Sequence, residues 1–143
     1  MKTKYSSLVS VKKNIMQKSQ RAVQLANSSV QNAQSALYKS HEDLYLIQTP
    51  SQGKIADFLS IRTLFESQRL LIKQNEDWLR FAQQELESAN KALKVSMIEY
   101  EKFKYLELQE VQSLLKAEKL KEAKRLDEIA LIGHTRKEKT KVA

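Results

Sequence analysis

The sequence predicts an all-α fold, a long antiparallel two-helix coiled-coil hairpin whose C-terminal helix overhangs the first helix. Three observations lead to this prediction. The 143 residues include only two glycines and one proline, so the chain has few places to turn. Helix-forming Lys, Glu, Leu, Gln and Ala are abundant. Apolar residues recur every seven positions on both sides of a single strong break.

The break is the segment Thr49-Pro50-Ser51-Gln52-Gly53, where proline stops a helix and Gly and Ser favour a turn. We therefore predict one coiled-coil domain over residues 1–143, with helix 1 at about 5–48, a turn at 49–54 and helix 2 at about 55–132. Whether helix 2 is broken near residue 65 stays open. Gly133 is a plausible helix end, and a basic tail follows at 133–143.

The heptad pattern is the strongest signal for a helical seam. Its apolar a positions in helix 1 are Val9, Met16, Val23, Val30, Leu37 and Leu44. In helix 2 they are Phe58, Phe65, Ile72, Leu79, Leu86, Leu93 and Tyr100. Most d positions hold small or polar residues such as Ser19, Ala26 and Ala33. An antiparallel pair sets a against d, so that each large residue meets a small one and the seam packs without gaps.

The position of the turn fixes which residues face each other. A turn centred at Gln52-Gly53 pairs Ser40 with Phe65 and Ala33 with Ile72. Helix 2 then continues for about 30 residues, roughly 45 Å, beyond the end of helix 1. Its apolar residues have no intramolecular helix to meet, which predicts docking on a partner or self-association. They are Leu106, Leu108, Val111, Leu114, Leu115, Leu120, Leu126, Ile129, Leu131 and Ile132.

The net charge of +8 is concentrated near the start of the chain. The first 24 residues contain six bases and no acid, which predicts one distinctly positive end. Nucleic-acid binding is one alternative reading, but aromatic residues are not interleaved with these bases and no dense basic run adjoins a parallel leucine seam. We therefore expect no nucleic-acid partner. A nucleic-acid-binding or purely structural coiled coil is kept as the alternative function of another class.

The sequence shows no constellation for catalysis. There is no cysteine, the two histidines stand alone, and both glycines lie outside any phosphate-binding loop. We therefore predict a non-enzyme without catalytic residues, cofactor, metal or small-molecule substrate. The first residues lack the apolar core of a signal peptide, and no apolar stretch is long enough to span a bilayer. These features predict a cytoplasmic protein.

A second stripe on helix 2 predicts a binding face. Leu64, Leu71 and Trp78 recur every seven residues at position g, whereas the facing g residues of helix 1, such as Ser29 and Ala36, are small. Large apolar side chains without a cover commonly mark an interaction site. The alternative is that these residues only widen the hairpin seam.

The layout resembles the FliJ family of flagellar type III export chaperones and its virulence-system relatives of the YscO type. The similarity covers essentially the whole chain: its size, the broken hairpin, and apolar heptads with Ala at alternate positions. The most specific part is the tail motif Leu126-Asp127-Glu128-Ile129-Ala130, followed by the bases Arg136 and Lys137.

The resemblance implies a protein at the base of the flagellar export apparatus, cytoplasmic and peripheral on the inner membrane. Its implied partners are the export ATPase ring, in which it acts as a stalk, the membrane export gate, and export chaperones that it escorts. The equivalent stalk of a virulence type III secretion system is the alternative. Carried over to this sequence, the gate contact falls near Leu64, Gln68, Leu71 and Asn75, and we add Trp78 because it continues the apolar stripe.

For the ATPase ring, the acid-free beginning of the chain predicts electrostatic steering into an acidic pore. The resemblance adds the tail motif to this hypothesis. The residues assigned to the ring contact are Lys4, Lys12, Lys13, Lys18, Arg21, Leu126, Asp127, Glu128 and Ile129.

Overall fold

The computed structural model describes residues 2–142, with side chains for residues 2–139. Two helices make up this part of the chain: α1 spans Ser6–Leu46 and α2 spans Ile55–Val142. No strand occurs among the described residues, so the prediction of an all-α two-helix fold is confirmed. Helix α2 is unbroken near residue 65, which leaves no separate short helix before it.

Both helices begin with side chains that satisfy free backbone N–H groups. At the start of α1, the Tyr5 N–H donates to Thr3 Oγ1 at 3.2 Å, and the Thr3 N–H donates to Ser6 Oγ at 2.9 Å. Thr3 thus acts as the N-cap, and Ser6 caps the Thr3 N–H in return, as the third helical residue does in a capping box. At the start of α2, the Lys54 N–H donates to Asp57 Oδ2 at 3.2 Å, and the carboxylate also favours the positive end of the helix dipole.

The predicted end of helix 2 at Gly133 is wrong, because α2 continues to Val142. None of the described glycines has the positive φ that a helix-ending glycine adopts. One hydrogen bond spans this point, from Thr135 Oγ1 to the Leu131 carbonyl at 2.8 Å, and directly after it His134 lies 3.2 Å from Glu138, one helical turn on. A lone glycine costs a helix only about 1 kcal/mol, which its helix-forming neighbours outweigh. The predicted tail ends at Ala143, outside the described residues.

The described residues fall into two compact units, each containing part of both helices. The hairpin unit comprises Asn14–Ile98, including the connection between α1 and α2. The terminal unit joins the residues up to Lys13 with those from Glu99 onward. That the whole chain acts as one coiled-coil domain stays a prediction.

The core of the hairpin unit is a thin seam of small residues. Ala33, Ala82, Ser40 and Ser96 are almost fully buried, and Ile72 is the largest buried residue. The two serine hydroxyls donate to carbonyls of their own helix, Ser40 to Leu37 and Ser96 to Leu93, so neither is left unsatisfied. Two helices alone cannot enclose a large side chain, and they approach most closely where Ala and Ser lie between them.

The pairing predicted from a turn at Gln52-Gly53 is wrong by about one heptad. Instead of Phe65, it is Gln68 that reaches Ser40, donating from Nε2 to the Ser40 carbonyl at 2.9 Å. Asn75 Nδ2 likewise donates to the Ala36 carbonyl at 3.3 Å. The cause lies in the connection: α1 ends at Leu46 and α2 begins only at Ile55, and the first turn of α2 is exposed rather than packed.

The terminal unit pairs the beginning of α1 with α2. Ser6 Oγ donates to Glu107 Oε1 at 3.1 Å, and Lys12 Nζ lies 3.6 Å from Glu99 Oε2. Partial burial in this unit ends at Val111, and every residue described from Gln112 to Lys139 is exposed. The overhanging C-terminal helix is therefore confirmed.

Candidate interaction face

The hairpin unit carries an apolar face on one side of its seam. Leu64, Leu71 and Trp78 form this apolar face, one heptad apart on α2, with exposed fractions of 48%, 42% and 43%. The α1 residues at the matching heptad position include Ser29 and Ala36, which are too small to cover them. The structure thus brings these three predicted site residues together and leaves them open to a partner.

The other side of the same seam is polar. This side is formed by the heptad position that lies three residues before each apolar seam residue. On both helices the residues at this position are exposed, and nearly all of them are polar. Met97, near the end of the unit, is the one apolar exception. The polar side consists of Gln20, Asn27, Gln34 and His41 on α1 and Arg62, Arg69, Glu76, Gln83 and Asn90 on α2. At the heptad positions that flank the seam, large apolar side chains are therefore concentrated on the side with the apolar face.

Gln68 and Asn75, the two other predicted gate residues, face the seam. Each is half-buried, and each donates its side-chain amide to a carbonyl of α1, at Ser40 and Ala36. Both carbonyl oxygens lie within α1, where one lone pair accepts the helical hydrogen bond. The side-chain amide therefore donates to the second lone pair of the oxygen. The structure therefore divides the predicted gate set into three outward residues and two that hold α1 against α2.

A groove adjoins the apolar face at Trp78. Its volume is about 480 Å³, and the bulky residues along it are Leu25 on α1 and Trp78 and Phe81 on α2. The heptad pattern places Leu25 outside the seam and gave no reason to predict it as a site residue. The available signal was its position three residues after Ala22, which puts it on the same side of α1.

The predicted basic set is divided between the two units. Lys18 and Arg21 are exposed in the hairpin unit, whereas Lys4, Lys12 and Lys13 belong to the terminal unit. Lys4 and Lys13 are exposed. Lys12 is instead half-buried between Glu99, at 3.6 Å, and the Phe103 ring, whose centre lies 5.4 Å from Nζ. The charge of Lys12 thus interacts with α2 and is less available to a partner than the charges of Lys4 and Lys13.

The predicted tail motif lies on the exposed part of α2 in the terminal unit. Leu126 and Ile129 are exposed apolar residues three positions apart, so they share one face of the helix. Asp127 and Glu128 are also exposed. No residue of α1 covers any of the four in the part of the chain that the structure describes.

The described residues lack the features of two other kinds of site. No group of three or more His, Cys, Asp or Glu side chains there could hold a metal ion. Between residues 2 and 142, no helix combines the length and apolar character that crossing a bilayer requires.

Comparison with known proteins identifies one family. The model of the flagellar FliJ protein family matches residues 1–139, nearly the whole chain. No curated protein and no solved structure gives a match. The match agrees with the two-helix fold and with the resemblance carried by the heptads and the tail motif. The chain therefore belongs to the FliJ family and is a component of the flagellar protein export apparatus.

Proposed function

We propose that this protein is a non-enzymatic stalk and chaperone of flagellar export, which binds the export ATPase ring and the membrane export gate and escorts export chaperones. The observation that carries the proposal is the apolar face of Leu64, Leu71 and Trp78, open on one side of a seam whose other side is polar. A face of this kind loses its unfavourable contact with water only when a partner covers it.

In this proposal the apolar face contacts the export gate. Leu64 and Leu71 each leave nearly half of the side chain exposed, and Trp78 extends the same row by one heptad. Gln68 and Asn75 support the contact indirectly, since their bonds to α1 fix the side of α2 that faces outward. Such contact would hold the protein in the cytoplasm against the inner membrane.

The positive charge supports the proposed contact with the ATPase ring. Lys4, Lys13, Lys18 and Arg21 are exposed, and the chain has no acid before Glu42. An acidic surface would attract this segment over a distance of about one Debye length, roughly 8–10 Å in physiological salt. The exposed Leu126 and Ile129 would add apolar contacts.

The gate contact is tested with the double variant Leu64→Asp/Leu71→Asp and the cytoplasmic domain of the gate protein. We expect binding measured by calorimetry to be lost while circular dichroism shows unchanged helix content, because both side chains lie outside the seam. The matched control is Gln83→Asp/Asn90→Asp, which adds the same charges one heptad apart on the polar side. Full gate binding by the Leu64/Leu71 variant would reject the proposal.

A further inference from the structure

The groove between Leu25 and Trp78 suggests a second recognition site in the hairpin unit. The groove lies on the same side of the hairpin unit as the apolar face. It extends from Trp78 away from the turn, toward Asn14 and Ile98, where the unit ends. It does not depend on Leu64 or Leu71. The groove therefore goes beyond the proposed gate contact and shares only Trp78 with it.

The lining of the groove fits a helix. Its lining is mostly small residues, of which Ala82 is buried, and the three bulky apolar side chains in the lining are exposed. Small residues let another helix approach closely, and Leu25, Trp78 and Phe81 would pack on both flanks of its apolar stripe. The small residues are Ala22, Ala26 and Ser29 on α1 and Ala82, Ala89 and Ala92 on α2.

The α1 residues that line the groove are uncharged, and the charged residues of α1 beside it are all bases. Between Asn14 and His41 the chain carries Lys18, Arg21 and Lys39 and no carboxylate. Arg21 precedes Leu25 by four residues and Lys18 precedes Ala22 by four, so both bases lie along the groove side of α1. Both are exposed. A docked helix would therefore be favoured by acidic residues on the flank that faces α1.

On α2 the charged residue in the groove lining is the carboxylate Glu85. Outside the lining, Asp77 is paired with Arg80 at 3.4 Å and Glu87 with Lys91 at 3.4 Å, so these charges offset one another. Glu85 lines the groove and has no ion pair among the residues that the structure describes. One base on the second flank of the docked helix would match it. A second copy of this chain fits less well, because its own groove would offer only the carboxylate of Glu85 to Lys18 and Arg21.

We propose that the groove between Leu25 and Trp78 binds an amphipathic helix of another protein, with an acidic flank lying along Lys18 and Arg21. The order of the charges follows from the two walls, acidic toward α1 and basic toward Glu85 on α2. Apolar contact supplies the affinity, and the charges of Lys18 and Arg21 select a partner helix with acidic residues on one flank.

The test uses the full chain and its single tryptophan, Trp78, as the reporter. The probes are two tryptophan-free amphipathic peptides of about four heptads with the same leucine stripe. One peptide has glutamates along one flank, and the other has lysines there. We expect the Glu-flanked peptide to shift Trp78 fluorescence to shorter wavelength and to protect it from acrylamide quenching. The Lys-flanked peptide should bind at least about tenfold more weakly at low salt.

Variants assign the interaction to the groove. Lys18→Glu/Arg21→Glu should reverse the order of the two peptides, and Leu25→Ala/Phe81→Ala should weaken both. Arg69→Glu/Lys73→Glu makes the same change in charge on the far side of α2 and should leave the order unchanged. Circular dichroism checks that each variant keeps its helix content.

Three results would overturn the inference. Equal affinity for both peptides would make the groove unselective for charge. If neither peptide bound, the groove would not be a binding site for an amphipathic helix. A Trp78 shift that depends on protein concentration without peptide would make a second copy the occupant. The gate-binding assay with the Leu64/Leu71 variant is separate, so either proposal can fail while the other holds.

Discussion

Lys12 of α1 reaches across to α2, where its Nζ lies 3.6 Å from Glu99 Oε2 and 5.4 Å from the centre of the Phe103 ring. Heptad spacing puts Lys12 at a seam position, where a lysine is unfavourable unless its charge finds a partner. Within the terminal unit, the carboxylate and the aromatic face supply that partner. These two contacts with Glu99 and Phe103 therefore allow a lysine to occupy a position in the seam.

We expect Lys12→Glu to lower the free energy of unfolding by about 1 kcal/mol, because two carboxylates would then face each other at a partly exposed site. Adding Glu99→Lys should recover most of that loss, and urea denaturation of the four proteins in the double-mutant cycle measures it. Lys13→Glu, at an exposed neighbour, is the control and should change little. If the charge-swapped protein were no more stable than Lys12→Glu alone, the pair would contribute nothing.

The register of the hairpin unit can be tested with disulfides, because the chain has no native cysteine. We expect Ser40→Cys/Ile72→Cys to oxidise readily, since a shift of one heptad sets Ile72 opposite Ser40. Ser40→Cys/Phe65→Cys should not oxidise, because one heptad is roughly 10 Å of helix and a disulfide needs Cα atoms within about 7 Å. Mass spectrometry after mild oxidation distinguishes them. Preferential closure of the Phe65 pair would restore the register expected from the turn.

The heptads were sufficient to predict the two helices and the antiparallel seam, but not the register. Moving α2 by one heptad still places most large residues opposite small ones, so the packing pattern is much the same in both registers. The length of the connection decides between them. It extends from Ile47 to Lys54, and Pro50 and Gly53 in the sequence do not reveal how much chain on either side leaves the helix.

The candidate site was predictable only in part, for the same reason. Heptad position alone placed Leu64 and Leu71 outside the seam and Gln68 and Asn75 within it, whereas the family resemblance grouped all four in one contact. The structure follows the heptads, since both amides bond to α1 carbonyls. The groove at Leu25 depends on both helices and on their register, so the sequence of either helix alone does not predict it.

The placement of the two amides leads to a prediction about binding. We expect Gln68→Leu/Asn75→Leu to retain gate binding, because these side chains face α1 rather than the partner. The free energy of unfolding should not fall, since leucine replaces both hydrogen bonds with apolar contact in the seam. Calorimetry with the gate domain and urea denaturation provide the two readouts. Loss of gate binding with unchanged helix content would place Gln68 and Asn75 in the contact itself.

The two glycines should respond differently to alanine. A Cβ on Gly133 would meet nothing within 4 Å, so Gly133→Ala should strengthen the end of α2 by about 1 kcal/mol. A Cβ on Gly53 would lie 3.1 Å from Asp57 Oδ2, the acceptor that caps the Lys54 N–H. Gly53→Ala should therefore weaken the start of α2. Amide hydrogen exchange near each glycine measures both effects, and equal protection changes at the two sites would contradict this contrast.

The proposed contact with the ATPase ring leads to a prediction about stimulation of the export ATPase. We expect stimulation to fall when the four exposed bases Lys4, Lys13, Lys18 and Arg21 are changed to Glu, because the chain then repels an acidic pore instead of being attracted to it. Raising salt should narrow the difference from the unmodified protein, since screening shortens the range of the interaction. ATP hydrolysis measured over a series of salt concentrations gives both quantities.

The control for that experiment must carry the same net charge. Reversal of four exposed bases on α2 achieves this without touching the acid-free segment; they are Arg69, Lys73, Lys94 and Lys102. We expect this control to stimulate the ATPase nearly as well as the unmodified protein, because steering depends on where the charge lies as well as on its sum. Equal loss in both variants would show that only the total charge matters. Unchanged stimulation by the first variant at every salt concentration would remove the steering hypothesis.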